Sequence, residues 1–382
     1  MTVTQVATLV NSALSETVGE SAVIAEDLSN VVDCGRAVID ANAVDNFVQS
    51  LVNHIGKVVF WDRPYISIAP KLMMEAWRFG SIKEKLRADL PEAVQNDTWA
   101  LVDNQSYDPF VFHKPSVRAK FFNGRTTFRV EQSIAQEQVE ESFSNEYQLH
   151  AFISMLENTR RNAHTIANDN LILRTLASTI VYCSTKQHQV VNLLSEYNTA
   201  FSASLTLEQA LRTEGFLRFA IYRMNTVMDL MRAPNRVFNS ANLDTPMGPI
   251  VHTPDDRQRV VMLTDFARSA GVYLHDAPNQ FNTGTLAIPS ADIVPYWQGI
   301  GTAASVTDRA KVIAKNEVVT SNTTVNGVLA IVFDEEALGI TNYRSQVTTQ
   351  YNARAHFTNY FDDRVAGYFN DYDEQAVLFI AA

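Results

Sequence analysis

The 382-residue sequence is poor in cysteine: it contains only Cys34 and Cys183, which lie far apart and outside any CxxC or Cys/His pattern. Zinc sites and disulfide frameworks need closely or regularly spaced ligands, so neither is indicated, and two buried thiols in a reducing compartment are expected. The sequence also lacks an apolar run of about 18 residues, which a membrane-spanning helix requires. No basic segment followed by an apolar one opens the chain, so no signal peptide is predicted.

Positive charge is scarce as well. The chain carries 31 basic and 42 acidic residues, a net charge of −11, and only 19% of its residues are charged. A groove that grips nucleic acid needs clustered Lys and Arg, whereas the densest basic stretch, 83–87, has Glu84 in its middle. A low charged fraction fits ordinary variation, or a protein whose surface lies largely within permanent contacts.

Motifs for catalysis are missing too. Gly299-Ile300-Gly301 lacks the third glycine of a dinucleotide-binding loop and is interpreted as a loop. His252 before Asp255-Asp256 has no placed nucleophile. The histidines follow no metal-ligand spacing; they are at positions 54, 113, 150, 164, 188, 252, 275 and 356. We therefore predict no enzyme activity, no cofactor, and no catalytic, cofactor-binding or metal-binding residues.

Two groups of acidic residues are better candidates for a functional site than these motifs. Asp362-Asp363 and the set Asp371, Asp373 and Glu374 could form an acid pair or a divalent-cation site. The glycine and glutamate that an EF-hand loop requires are not at the needed positions. A solvated acidic edge is the favoured interpretation.

Hydrophobic periodicity predicts two prominent helices. The first, over 145–179, repeats apolar residues at helical spacing and would be about 50 Å long. We expect this helix to be only partly buried because one face is polar; that face holds Arg160, Arg161, Asn162, Asn168, Asp169 and Asn170. The second, over 207–232, begins with a Thr206/Gln209 capping box and ends before Pro234.

Shorter elements are predicted on either side of these helices. Val6, Leu9, Val10 and Leu14 would lie on a short helix that needs a partner for stability. A helix is also predicted over 45–57. The clearest strands are 259–263, 271–274, 328–333 and 377–380. The mixture of long helices and separated strands predicts an α+β fold.

The stretch 64–116 is too apolar for a linker and too interrupted by proline for a compact core. It contains Pro64, Pro70, Pro91, Pro109 and Pro115. An extended lobe that packs against something else fits this composition best. Asn123-Gly124 follows it, and this pair between two strand-like segments predicts a β-hairpin over 116–133.

Several strings, in this order, resemble the major capsid proteins of tailed bacteriophages, in particular small short-tailed podophages with the Hong Kong-type (HK) capsid fold. They are Phe60-Trp61-Asp62-Arg63-Pro64-Tyr65, Trp77-Arg78-Phe79-Gly80, the segment 99–106, Lys114-Pro115, the segment 333–340, Gly367-Tyr368-Phe369-Asn370-Asp371 and the segment 376–379. Together they extend over most of the chain, although 235–325 contributes none.

The resemblance implies a domain map. It consists of an N-terminal arm (1–63), an extended loop with the hairpin (64–130), a peripheral domain with a long spine helix (131–190), an axial domain (191–340) and C-terminal strands that complete the peripheral domain (341–382). The extended loop would reach over a neighbouring subunit. The expected contact residues are Trp77, Arg78, Phe79, Trp99, Tyr107 and Phe110.

By the same resemblance, the protein would be a virion component that self-assembles into an icosahedral or prolate head, built of pentamers and hexamers in the host bacterial cytoplasm. Its partners would be a separate scaffolding protein, a portal and enclosed double-stranded DNA bound without sequence specificity; no membrane is involved. Two alternatives are kept: an encapsulin-like nanocompartment shell, which shares the fold, and an unrecognised hydrolase or lyase that uses the acidic tail.

Overall fold

The computed structural model describes residues 3–19, 23–41, 83–88, 117–135, 146–239, 250–275, 291–298 and 305–382, with scattered positions between 43 and 114. The helices are α1 (Val3–Thr17), α2 (Val31–Asp40), α3 (Glu146–Ser184), α4 (Leu193–Phe201), α5 (Leu207–Ala210), α6 (Glu214–Arg232), α7 (Thr264–His275) and α8 (Val306–Arg309). The strands are β1 (Lys83–Ala88), β2 (Val117–Phe122), β3 (Arg125–Ala135), β4 (Val190–Asn192), β5 (Gln258–Leu263), β6 (Asp292–Val294), β7 (Val312–Ala314), β8 (Thr323–Val325), β9 (Val328–Asp334), β10 (Leu338–Asn352), β11 (Phe357–Asn370) and β12 (Ala376–Ile380). None of the helices within these ranges is long and apolar enough to cross a membrane.

The chain forms two compact units. The first contains 1–70, 125–171 and 341–367, and the second contains 71–124, 172–340 and 368–382. The α+β prediction is confirmed, as is the long helix, which extends from Glu146 to Ser184. The five-part domain map stays a prediction.

The first unit combines α1, α2 and the first part of α3 with the three-stranded sheet β10-β11-β3. The apolar residues predicted along α1 are all buried, and they share one core with Ile134 of β3 and Leu156 of α3. The short N-terminal helix therefore finds its stabilising partner within its own chain. Of the helix predicted over 45–57, the described positions 46, 47, 50 and 51 are helical, and the rest lies outside the described residues.

The second unit is built on the five-stranded sheet β4-β12-β9-β5-β6. Its central strand β9 is buried at every residue, which explains why Val328–Asp334 is an almost continuous apolar run. Helices α4, α6 and α7 contribute Leu194, Met224 and Phe266 to the core on this sheet. The strands predicted over 259–263, 328–333 and 377–380 are confirmed as β5, β9 and β12.

Two element predictions in this unit are wrong. The helix predicted over 207–232 is two helices, because the capping box closes a single turn and the Thr213 hydroxyl donates back to the Gln209 carbonyl before α6 begins. The strand predicted over 271–274 lies in α7. There, Phe266 and Ala270 are buried four residues apart, which is helical spacing.

The predicted hairpin at Asn123-Gly124 is also wrong. Strand β2 pairs with β1, whereas β3 pairs with β11, so the strands on either side of Asn123-Gly124 belong to different sheets. Glycine is needed at position 124 because two backbone segments come close together there. The Gly124 carbonyl accepts a hydrogen bond from the Tyr368 N–H at 3.0 Å, and a Cβ at this position would lie 2.5 Å from the Tyr368 carbonyl oxygen. The turn-like dipeptide marks a crossing between sheets.

Candidate functional site

Two of the six expected subunit-contact residues lie within the described part of the chain. Trp99 and Phe110 are each 88% exposed, which is unusual for large aromatic side chains. Trp77, Arg78, Phe79 and Tyr107 lie outside the described residues. The contact role of all six stays a prediction.

The antiparallel pair β1-β2, called the ribbon from here on, has two very different faces. Leu86 pairs with Ala119 and Ala88 pairs with Val117, and all four side chains are exposed. Leu86, Val117 and Phe121 are 65%, 60% and 63% exposed. Strand residues alternate between faces, so the basic residues of β1 and Lys120 lie on the opposite face. The outward face of the ribbon is therefore apolar apart from Glu84, which is exposed opposite Phe121.

The inward face of the ribbon is held by a charge cluster, called the Asp371 cluster. Lys85 Nζ lies 3.0 Å from Asp371 Oδ2 and 2.5 Å from Glu374 Oε1, and Lys120 Nζ lies 2.8 Å from Asp371 Oδ1. Arg87 adds a contact of 3.3 Å to Glu374, and Lys120 also pairs with Asp373. Only 2% of the Asp371 side chain is exposed. All these residues belong to the second unit.

The protonation of this cluster follows from its pairing. Burial alone would raise the pKa of Asp371, but the Lys85 and Lys120 ammonium groups outweigh burial, and the pKa lies below its usual value. Burial alone would lower the pKa of Lys85, and Asp371 and Glu374 raise it instead. Asp371, Lys85 and Lys120 are therefore charged near neutral pH, and their attraction is sensitive to salt where water reaches it.

An aromatic contact completes the attachment of the ribbon. The Phe122 ring lies 5.4 Å from the Phe369 ring, and Lys83 Nζ lies 3.7 Å above the same Phe369 ring. Arg87 Nη2 donates to the Ile250 carbonyl at 3.1 Å. The basic stretch 83–87 is thus engaged with carboxylates, a carbonyl and an aromatic ring of its own chain, which leaves little of it for phosphate binding.

The first unit contains a second buried group, called the Asp362 cluster. Asp362 Oδ2 lies 2.9 Å from His164 Nε2, 3.7 Å from Arg160 Nη1 and 3.5 Å from Arg364 Nη2. Arg160 also donates to the Tyr360 hydroxyl. Each of the four side chains of the ion pairs is less than a tenth exposed.

In this cluster, the spacing of the buried polar residues along helix α3 matches their spacing along strand β11. Arg160, His164 and Asn168 are buried at intervals of four residues on α3, and Tyr360, Asp362 and Arg364 are buried at intervals of two on β11. Four helical residues rise about 6 Å and two strand residues about 6.7 Å. The polar residues therefore fix the register of α3 on its sheet more specifically than apolar contacts would.

Burial also sets the protonation of this cluster. Burial lowers the pKa of His164, and the nearby Arg364 and Arg160 charges add to that effect, so the imidazole is neutral near neutral pH. Burial would raise the pKa of Asp362, but His164 and Arg364 outweigh it and hold it below its usual value. The ionised Asp362 thus faces two guanidinium groups.

The favoured interpretation of a solvated acidic edge is wrong for Asp362, Asp371 and Glu374, which are all buried. It is also wrong that the polar face of the long helix lies in solvent at Arg160 and Asn168. The sequence contained one usable signal: Arg160, His164 and Asn168 are spaced by four on a single helix face. Their acidic partner is about 200 residues away along the chain, so spacing alone does not reveal it.

Catalytic or metal chemistry finds little support among the described residues. No group of three or more metal-ligating side chains occurs within them. His252 is exposed, and Asp255 pairs with Arg232 at 2.7 Å. Cys34 and Cys183 are free and buried, as expected. A surface cavity of about 550 Å³ between α4 and α6 is lined by Glu196 and Arg223, which pair with each other.

A family comparison gives the class of the protein. The model of the Phi29-like phage major capsid protein family matches residues 6–380. The chain belongs to this family. It is therefore a structural capsid protein of a phage virion, not an enzyme, and it assembles with further copies into a shell. The expected resemblance to tailed-phage major capsid proteins is confirmed, and the alternatives of a nanocompartment shell and an enzyme are not favoured.

Solved phage capsid structures resemble this chain at low sequence identity. The capsid structure of Staphylococcus phage Andhra aligns with a TM-score of 0.52 at 10% identity, over 81% of this chain and 83% of that chain. The capsid structure of cyanophage P-SCSP1u aligns with a TM-score of 0.47 at 12% identity, over 84% and 90%. The Andhra capsid supports a tailed-phage capsid fold for this major capsid protein. A search of curated proteins finds no match.

Proposed function

We infer that this major capsid protein builds a phage head around packaged double-stranded DNA, and that the apolar face of the ribbon is one of the surfaces by which one copy contacts the next. The ribbon lies within the proposed extended loop, 64–130. The observation that carries the subunit contact is the outward position of Leu86, Val117 and Phe121.

The size of this face supports a protein contact. Its exposed apolar area is on the order of 400 Å², the scale at which an apolar patch on a soluble protein marks an interaction surface. A stable interface buries about 800 Å² on each partner, so this face supplies one part of a larger contact. A second copy of the chain is the proposed occupant, because shell subunits must cover one another around rings.

The remaining partners follow from the family and from charge. A net charge of −11 suits a container whose wall repels the enclosed polymer. We expect pentamers and hexamers assembled in the host bacterial cytoplasm, with a separate scaffolding protein and a portal. Trp99 and Phe110 are expected to add to the subunit contact.

Replacing Leu86 and Phe121 together by Thr tests the contact. Thr suits a strand and removes apolar area, so the subunit should fold while shell yield falls at least about tenfold. Sedimentation and negative-stain microscopy would measure the yield. Val318→Thr is the matched control, because Val318 is 62% exposed outside the ribbon. Normal shells from the double variant would refute the contact.

DNA enclosure needs its own measurement. Particles assembled in infected cells should protect DNA from nuclease until they are disrupted. Particles that consistently contain protein cargo and no protected DNA would favour the nanocompartment alternative and contradict the proposed function.

A further inference from the structure

The ribbon is docked with its faces opposite to the usual arrangement. A two-stranded ribbon lying on a protein body normally buries its apolar face and leaves its charged face in water. Here Lys85 and Lys120 point to the body, and Leu86 and Phe121 point to solvent. Hydrophobic burial alone would favour the reverse orientation.

Because of the strand register, the Asp371 carboxylate is important for the attachment of the ribbon. Lys85 pairs directly with Lys120 across the ribbon, and like charges in such positions repel. Asp371 lies between them: Oδ2 is 3.0 Å from Lys85 Nζ and Oδ1 is 2.8 Å from Lys120 Nζ. Each oxygen of this carboxylate therefore contacts one of the two opposed ammonium groups, and Glu374 and Asp373 supply further negative charge to them.

Asp371 is itself held in place by its backbone. Its N–H donates to the Ala337 carbonyl at 2.6 Å, and its Oδ1 accepts from the Asp373 N–H at 3.1 Å. The two lysines meet a carboxylate that the turn before β12 has already positioned. Turning the ribbon over would move both lysines into solvent and leave the buried Asp371 and Glu374 carboxylates without these partners, which penalises the wrong orientation.

We propose that the Asp371 cluster is an orientation lock for assembly. Lys85, Lys120, Asp371 and Glu374 are positioning residues that hold the charged face of the ribbon on its own chain, so that the apolar face is presented to a neighbouring copy. This inference rests on the proposed function, because it takes that face to be a subunit contact. Buried ion pairs add little net stability, and selection of one arrangement is a role they can fill.

The two faces of the ribbon can be compared by thiol labelling of unassembled subunits. Ala119→Cys places a reporter on the outward face, and Lys83→Cys places one on the inward face. The background is low because Cys34 and Cys183 are buried, and burial raises the pKa of Cys183 to about 12. In the locked ribbon the outward reporter should react at least about tenfold faster than the inward one.

Removing the lock should abolish this difference. In Asp371→Asn or Lys120→Met backgrounds we expect the two labelling rates to converge and shell yield to fall. Lys120→Arg keeps the charge and should retain both properties. Arg223→Met, which breaks the half-buried pair with Glu196 away from the ribbon, is the matched control and should change neither.

The outcomes separate the lock from the contact. If the rates stay apart and shells form normally in both Asp371→Asn and Lys120→Met, the lock is wrong. If the Ala119→Cys reporter reacts in assembled shells as fast as in free subunits, the proposed contact is wrong instead. Protection of that reporter in wild-type shells, together with converged rates in the variants, supports both.

Discussion

The two buried charge clusters use similar side chains in different structural settings. In the Asp362 cluster, helix α3 and strand β11 supply every member, and water is excluded from the ion pairs. In the Asp371 cluster, a two-stranded ribbon supplies the cations, and Lys120 remains 39% exposed. The first arrangement suits a permanent register within a unit, and the second suits an attachment that solvent conditions can weaken.

The largest expected effect is the loss of Asp362. Asp362→Asn leaves Arg160 and Arg364 without their buried carboxylate and should lower the free energy of unfolding by about 3–5 kcal/mol. Urea denaturation of the purified subunit would measure the loss. Asp363→Asn is the control: Asp363 is the next residue, lies on the exposed face and pairs with Arg129 at 2.6 Å, so its loss should be below about 1 kcal/mol. Equal losses would contradict the distinct role of the Asp362 cluster.

Lowering the pH should reduce the stabilising contribution of the Asp362 cluster through protonation of His164. The pKa of His164 is lower in the folded protein than its usual value near 6.5, so the unfolded chain binds more protons as pH falls. The neutral imidazole therefore makes its full contribution to the free energy of unfolding above about pH 6.5. This contribution declines as the pH drops below that value. His164→Gln should flatten the pH dependence of unfolding just below pH 6.5, measured by denaturation at several pH values. An unchanged slope would contradict the assignment.

The smallest effect expected is that of salt on the ribbon. Raising ionic strength to about 1 M shortens the screening length to about 3 Å, which should weaken the solvent-accessible pairs of Lys120. Hydrogen exchange of amides in β1 and β2 should then quicken by a few-fold, whereas amides of α3 near His164 should not change. Equal responses would show that the two clusters are equally shielded.

Local sequence patterns correctly predicted those helices and strands that depend mainly on neighbouring residues. The helix Glu146–Ser184 and the strand β9 follow from apolar spacing and an apolar run, and the resemblance identified the fold. The hairpin failed because β-pairing is decided by distant partners: Asn123-Gly124 permits a turn, but β2 finds β1 and β3 finds β11. A turn signal alone does not choose between such partners.

The charge clusters were missed for a related reason. Asp371 and Lys85 are 286 positions apart, and nothing in either neighbourhood distinguishes a buried charge from a solvated one. An acid is normally exposed unless it is paired, so the default interpretation favoured solvent. The inverted ribbon was equally hidden, because alternation in β1 shows that its faces differ but not which face is inward.

The position of β12 has a consequence for synthesis. This strand lies between β4 and β9 in the central sheet, yet it comes from residues 376–380, far later in the chain than β4. At a synthesis rate of about 5–20 residues per second, β12 is made on the order of ten seconds after residues 190–192. A product that terminates before residue 376 leaves two strand edges open and lacks Phe379 in the core. We therefore expect that a chain lacking β12 cannot complete the sheet of the second unit.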